Sequence, residues 1–162
     1  MIIARAAVTG RRTTKPRDGP MTLCERRHYR AGLEIVPETT AFVETFCDAR
    51  GIGHDDRLRI VLIVEELVTN TVLHGHASGA PISLTLVLVA RSVTLLYEDT
   101  APAFDPTPWL SHSHDAVDEE VLARPVGNLG LRLIGQIAAG FRYVREGEHN
   151  RLWMTVTCGA VS

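Results

Sequence analysis

The chain has 162 residues, and its 17 Lys and Arg residues against 19 Asp and Glu residues give a formal net charge of −2. This length suits one globular domain, and the charge gives the chain as a whole no electrostatic reason to bind nucleic acid or anionic lipid. Cys24, Cys47 and Cys158 are odd in number and outside any CxxC pattern, which argues against a disulfide framework or a zinc site. No apolar run reaches membrane-spanning length. We therefore expect a cytoplasmic protein without a nucleic-acid or membrane partner.

The first 20 residues differ in composition from the rest of the chain. Asp18 is the only acidic residue among them. Their basic residues are Arg5, Arg11, Arg12, Lys15 and Arg17. This composition predicts a disordered basic arm at 1–20 and a folded domain at 21–162. A targeting peptide, or a true start at Met21, is compatible with the same composition.

Changes in hydrophobic period predict the elements of the first half. Residues 28–36 have the pattern of a strand, which Pro37 would end. Residues 39–50 then carry apolar side chains at helical spacing. A second predicted helix covers residues 58–73 and stops at Gly75, a residue that commonly ends helices.

The central part of the chain predicts two strands followed by a long loop. Apolar residues alternate over residues 82–89 and again over residues 93–97, with a turn at Arg91 and Ser92. Residues 100–126 then lose this period and contain several prolines. Loops of this length are uncommon inside compact domains and often act as lids.

The last part of the chain predicts a helix and a hairpin. Residues 130–139 resume helical spacing, and strands at 141–145 and 151–156 are joined by a polar connection that contains Gly147 and Asn150. The order of the elements predicts an α+β fold, a two-layer sandwich with helices on one face of a mostly antiparallel sheet.

Two polar residues stand out in the second predicted helix, RIVLIVEELVTNTVLHG. Glu66 and Asn70 are four residues apart and so share one helix face. A carboxylate there could accept a proton from a hydroxyl group, and an amide oxygen could join the oxygen ligands of Mg²⁺ beside a phosphate. By itself the spacing is equally typical of a surface hydrogen bond.

Two further segments have the chemistry of a nucleotide site. In YEDTAPAFDP a predicted strand delivers Asp99 into a turn of small residues, where a carboxylate could accept a hydrogen bond from an exocyclic amine. In VGNLGLRLI, Gly127 and Gly130 precede or begin a predicted helix, whose first amides are potential phosphate donors. Each segment alone is also explained by an ordinary turn or a capped helix.

The order of these motifs resembles the GHKL superfamily of ATPases. Within that superfamily the chain looks most like the bacterial anti-sigma-factor serine/threonine kinases. The resemblance covers residues 23–157, and it includes the segments EELVTNTVLHG, GNLGLRLI and FRYVREGEHNRLWMTV and the EDxxPAFDP turn. It implies the Bergerat, or histidine-kinase-like, version of the sandwich predicted from periodicity.

The resemblance also implies a site and partners. Glu66 would act as general base, Asn70 would bind Mg²⁺, and Asp99 would recognise the adenine amino group of ATP. The implied nucleotide-binding residues are Asn70, Asp99, Ala101, Phe104, Gly127, Asn128, Leu129, Gly130 and Leu131. Members of this group typically form homodimers, bind a sigma factor and phosphorylate a STAS-type antagonist protein on serine or threonine.

Two positions depart from the family pattern. Ala101 stands where glycine is usual, and its methyl group would cost about 1–2 kcal/mol if the backbone there needs a positive φ. Asn128 stands where a second glycine is common, although Asn tolerates unusual backbone angles. These departures leave an alternative open, in which the same fold is a non-catalytic module that binds a partner with or without nucleotide.

Overall fold

The structure is a computed structural model, and it describes residues 23–75, 79–111 and 128–159. For residues 128 and 129 it describes the backbone only. The predicted basic arm at 1–20 lies outside the described residues, as do residues 112–126 of the predicted long loop.

Five strands form one antiparallel sheet in the order β1-β2-β3-β5-β4. The strands are β1 (Leu23–Arg30), β2 (Pro81–Val89), β3 (Ser92–Asp99), β4 (Gly140–Glu146) and β5 (His149–Thr157). Because β5 pairs with β3 as well as β4, the last hairpin is fixed beside the strand that ends at Asp99.

The helices pack against the apolar face of the sheet. They are α1 (Ile35–Asp48), α2 (His54–His74), the single turn α3 (Thr107–Leu110) and α4 (Asn128–Ile137). Side chains from both layers are fully or almost fully buried in one core, among them Phe42, Phe46, Val64, Leu84, Leu95, Ile134 and Met154. The α+β sandwich predicted from the sequence is therefore confirmed. No helix of the described part is both long and apolar enough to cross a membrane.

The first strand was predicted too late in the chain. It runs from Leu23 to Arg30, and Pro37 lies within the first turn of α1, where a missing N–H needs no partner. The pattern was hidden because charged residues occupy positions that point towards the helices. Arg27 lies 4.7 Å over the Phe42 ring, and Glu25 forms an ion pair with Arg50, just beyond α1, at 2.7 Å.

Two turns also differ from the prediction. The turn between β2 and β3 lies at Ala90 and Arg91, one residue earlier than predicted, with Ala90 at φ 52°. In the last hairpin Gly147 does lie in the turn, at φ 58°, but Asn150 belongs to β5 and is buried. The predicted placement of Asn150 in a polar connection is therefore wrong.

The position of α4 depends on a close backbone contact with α3. A Cβ atom built on Gly135 would lie only 2.4 Å from the carbonyl oxygen of Leu110 and 2.8 Å from its Cα. Glycine is therefore required there for space. The contact ties α4 to the segment that follows β3.

We expect Gly135→Ala to lower the free energy of unfolding by about 1–3 kcal/mol, because the new methyl group would collide with backbone that cannot turn away. This is the net change, after subtraction of the gain of about 1 kcal/mol that alanine normally brings to a helix. Urea denaturation followed by circular dichroism measures the change. Gly140→Ala is the matched control, since a Cβ there meets nothing within 4 Å. Equal stability of the two variants would contradict the contact.

Candidate functional site

A cavity of about 390 Å³ opens between the C-terminal half of α2, the end of β3, the segment after it, α4 and the last hairpin. Several residues predicted for the site line it: Asn70, Asp99, Ala101, Phe104 and Leu131. The segments EELVTNTVLHG, YEDTAPAFDP and the start of α4, separate in the sequence, thus meet at one cavity. The roles predicted for their side chains remain predictions.

The other predicted residues lie beside the cavity or outside the described part. Glu66 is half-buried on the turn of α2 before Asn70 and faces the first turn of α4. A Cβ built on Gly130 would lie 1.8 Å from Glu66 Oε2, so glycine allows this approach. Asn128 and Leu129 begin α4. Gly127 lies outside the described residues.

Asp99 is buried, with 7% of its surface exposed, and its carboxylate is held from three sides. Its Oδ1 accepts hydrogen bonds from the backbone N–H of Ala101 at 3.0 Å and from Nδ2 of Asn150 at 2.7 Å. Its Oδ2 accepts one from the hydroxyl of Thr71 at 2.9 Å. A buried carboxylate needs such partners, because desolvation of an unpaired charge is costly.

Thr71 in turn accepts a hydrogen bond from Tyr97. The Tyr97 hydroxyl donates to Thr71 Oγ1 at 2.8 Å, which leaves the Thr71 hydrogen free to point at Asp99. Burial raises the pKa of Tyr97 well above its usual value of 10, so the hydroxyl remains a protonated donor throughout the physiological pH range. Thr71 is therefore both a buried residue of α2 and a link in the hydrogen bonds that hold Asp99.

Asn150 connects Asp99 to the last hairpin. Its Oδ1 accepts hydrogen bonds from the Tyr143 hydroxyl at 2.7 Å and from Arg145 Nη1 at 2.8 Å. Arg145 Nη1 also donates to the carbonyl of Ala101 at 2.8 Å. Residues of the last hairpin thus form hydrogen bonds both with the Asp99 carboxylate and with the backbone that follows Asp99.

The strain expected at Ala101 is absent. Among the described residues other than glycine, only Ala90 has a positive φ, so the predicted cost of a methyl group at 101 does not arise. Ala101 is 6% exposed. A Cβ atom built on Gly75 would lie 2.9 Å from the Cβ atom of Ala101. The methyl group therefore occupies the space that Gly75 leaves at the end of α2.

Asn70 has the properties expected of a ligand-binding side chain. Its Nδ2 is buried and has no hydrogen-bond partner among the described residues, although the side chain lines the cavity. An amide can present either its N–H or its oxygen by rotation, so this group suits a phosphate oxygen or a cation beside one. The described residues contain no cluster of three His, Cys, Asp or Glu side chains. A single amide oxygen from Asn70 fits a Mg²⁺ ion that is bound mainly through phosphates and waters.

Phe104 lines the cavity and is supported by a second aromatic ring. Phe104 is 47% exposed and stacks on Trp109 with a centroid distance of 5.1 Å and an interplanar angle of 25°. Trp109 also packs against the core. Phe104 is left with an apolar surface that faces the cavity.

A helix-covered antiparallel sheet with an acid at the end of β3 and an amide on α2 defines the class of histidine-kinase-like ATPase domains. The sequence profile described as "Histidine kinase-like ATPase domain" matches residues 29–156, and the chain belongs to this family. The resemblance to GHKL ATPases drawn from the motifs is thus confirmed.

One relative is the protein named serine/threonine-protein kinase BtrW, from Bordetella bronchiseptica. It is 34% identical over 102 residues, which are 61% of this chain and 69% of BtrW. Among solved structures, the RsbU and RsbW domains of Rv1364c from Mycobacterium tuberculosis match with a TM-score of 0.55 and 16% identity over 82% of this chain. This chain spans 32% of that structure, and at this identity the match shows the shared fold.

The residues that the sequence analysis missed all contact Asp99 or its partners. Thr71 was hidden because a β-branched residue in an apolar helix is usually part of the core. Tyr143, Arg145 and Asn150 were hidden because their partners are distant in the sequence. The inward register of β5, in which Asn150 pairs with Asp99 across the sheet, is the signal that could have revealed Asn150.

We expect Thr71→Val to lower the free energy of unfolding by about 1–3 kcal/mol, because it leaves the buried Tyr97 hydroxyl without an acceptor and removes a donor from Asp99. Adding Tyr97→Phe removes the stranded hydroxyl, so the double variant should lose less than the sum of the two single losses. Urea denaturation of all four proteins of this cycle measures the coupling. Additive single effects would argue against the hydrogen-bonded chain.

Proposed function

We propose that the protein is an ATP-dependent serine/threonine kinase of the anti-sigma type, which phosphorylates an antagonist protein in a partner-switching system. The support is the family, the relative named a serine/threonine kinase and the chemistry of the cavity. A sigma factor as second partner, and a homodimer as the working form, belong to the same proposal.

The observation that carries the proposal is the position of Asp99 in the cavity and the hydrogen bonds that its carboxylate accepts. Three donors hold its carboxylate, and it lines a cavity of a size suited to a small ligand. An ionised carboxylate has about four acceptor positions, so about one remains. That position suits one N–H donor, such as the 6-amino group of adenine.

The phosphates would lie towards Asn70 and the start of α4. Mg²⁺, when bound with the nucleotide, would neutralise charge on the β- and γ-phosphates. Asn70 would contribute its amide oxygen to that ion, and its buried Nδ2, which has no partner among the described residues, would be free to donate to a phosphate oxygen. The backbone amides at the start of α4 would donate to phosphate oxygens, where the helix dipole favours negative charge.

Glu66 would be the general base. The oxygen of the acceptor serine or threonine forms a bond to the γ-phosphorus, ADP leaves with the electrons of the broken P–O bond, and the hydroxyl proton passes to Glu66. The contact of Glu66 with Gly130 supports this role, because it places the carboxylate at the same helix start that would hold the transferred group.

We expect Asp99→Asn to weaken binding of Mg·ATP by about 100-fold, because it replaces an acceptor by a donor where three donors already point. Glu66→Gln should leave ATP affinity almost unchanged and reduce phosphoryl transfer by at least about 100-fold. Calorimetry measures binding. Transfer is measured with γ-labelled ATP on proteins that co-purify with the chain from its own cells.

Glu65→Gln is the matched control for the base. Glu65 is the neighbouring carboxylate of α2, but it accepts a hydrogen bond from Thr40 of α1 at 2.8 Å, away from the cavity. Its variant should transfer phosphate at the wild-type rate. If Glu66→Gln also did so, the assignment of the base would be wrong. If the wild type bound no ATP at millimolar concentration, a nucleotide-free binding module would replace the kinase proposal.

A further inference from the structure

The amide of Asn150 joins groups of opposite hydrogen-bonding character. On one side Tyr143 and Arg145 donate to its oxygen. On the other side its nitrogen donates to Asp99 Oδ1 at 2.7 Å and, at longer distances, to the carbonyl oxygens of Ala101 and Pro102. Because arginine only donates and a carboxylate only accepts, these neighbours determine which way the amide points.

Few other side chains could replace this amide. An aspartate at 150 would place a second carboxylate against Asp99 and two backbone carbonyls, and an apolar residue would leave Arg145 and Tyr143 without an acceptor. Asn150 is 8% exposed, so water cannot readily take over these bonds. The side chain of Asn150 therefore serves as a hydrogen-bonding link between Asp99 and the last hairpin.

This link occupies one oxygen of Asp99. Oδ1 already accepts two hydrogen bonds, from Asn150 and from the N–H of Ala101. Oδ2 accepts one, from Thr71. The remaining acceptor position therefore lies on Oδ2, and Asp99 can accept from one ligand donor at a time.

We propose that Asn150 makes the cavity selective for 6-aminopurine over guanine nucleotides by keeping Oδ1 of Asp99 occupied. Adenine offers a 6-amino group, which one free acceptor satisfies. Guanine offers adjacent donors at N1 and N2, which need both oxygens of a carboxylate, and in this cavity one of those donors stays unpaired. A buried donor without a partner costs affinity, and this cost is the basis of the discrimination. The inference rests on the proposed function, because it concerns the nucleotide of that site.

The test is calorimetric titration of the full chain with Mg·ATP and with Mg·GTP. We expect the wild type to prefer ATP by at least about 100-fold. Asn150→Ala frees Oδ1, so it should lower the ratio of the two affinities by about tenfold or more. A residue that only supported the fold would weaken both nucleotides alike and leave the ratio unchanged. That result would overturn the inference.

A second variant covers the case in which Asn150→Ala does not fold. Arg145→Met removes one of the two donors that hold the Asn150 oxygen, while Tyr143 and Asp99 stay in place, and should lower the same ratio by a smaller factor of about three. Arg142→Met is its matched control, because Arg142 lies on the same strand but over Trp153 on the opposite face, at 5.3 Å. An unchanged ratio in Arg145→Met would also overturn the inference.

The wild-type titrations separate this inference from the proposed function. If the wild type bound neither nucleotide, the kinase proposal would fail, and the inference would fail with it. If it bound ATP and GTP equally well, ATP binding would stand and only the selectivity assigned to Asn150 would be overturned.

Discussion

The architecture of the cavity depends on the burial of one carboxylate. Asp99 is held by donors from three different parts of the chain: Thr71 on α2, Ala101 just beyond β3, and Asn150 on β5. The desolvation cost of the carboxylate makes these bonds obligatory, so the group that would recognise a ligand also fixes the relative positions of a helix, a loop and a strand. Recognition and local stability therefore cannot be varied independently at this position.

A second constraint acts through the two glycines of α4. Gly130 lets the helix approach Glu66, and Gly135 lets it approach the backbone at Leu110. The first contact belongs to the proposed phosphate side of the cavity, and the second belongs to the segment that follows Asp99. The helix is therefore positioned by both ends of the proposed nucleotide site, through a side-chain contact at Gly130 and a backbone contact at Gly135.

The parts of the fold that could be predicted are those whose own residues carry the pattern. Alternation in β2 and β3, and the long period of α2, depend on local apolar residues and were read correctly. The first strand was misplaced because two charged residues, Glu25 and Arg27, point towards the helices. Glu25 pairs there with Arg50, and Arg27 lies over the Phe42 ring. Asn150 was read as a turn residue because Asn favours turns, and only its distant partners reveal its place in a strand.

The same division applies to the residues of the cavity. Asn70 and Asp99, which line it, could be proposed from short motifs, whereas the residues that hold Asp99 could not, since hydrogen bonds between distant segments leave no local signal. The cost expected for Ala101 assumed a left-handed backbone, which the residue does not adopt.

The contact between Ala101 and Gly75 makes these two positions a matched pair. A methyl group at 101 fills the space that glycine provides at the end of α2, so any side chain at 75 would push the segment after β3 away from the helix. In a chain with glycine at 101 the same space would be open to a ligand or a water molecule. Exchanges at the two sites are thus expected to occur together, and a homologue that carries bulk at 75 should have a differently shaped cavity at this point.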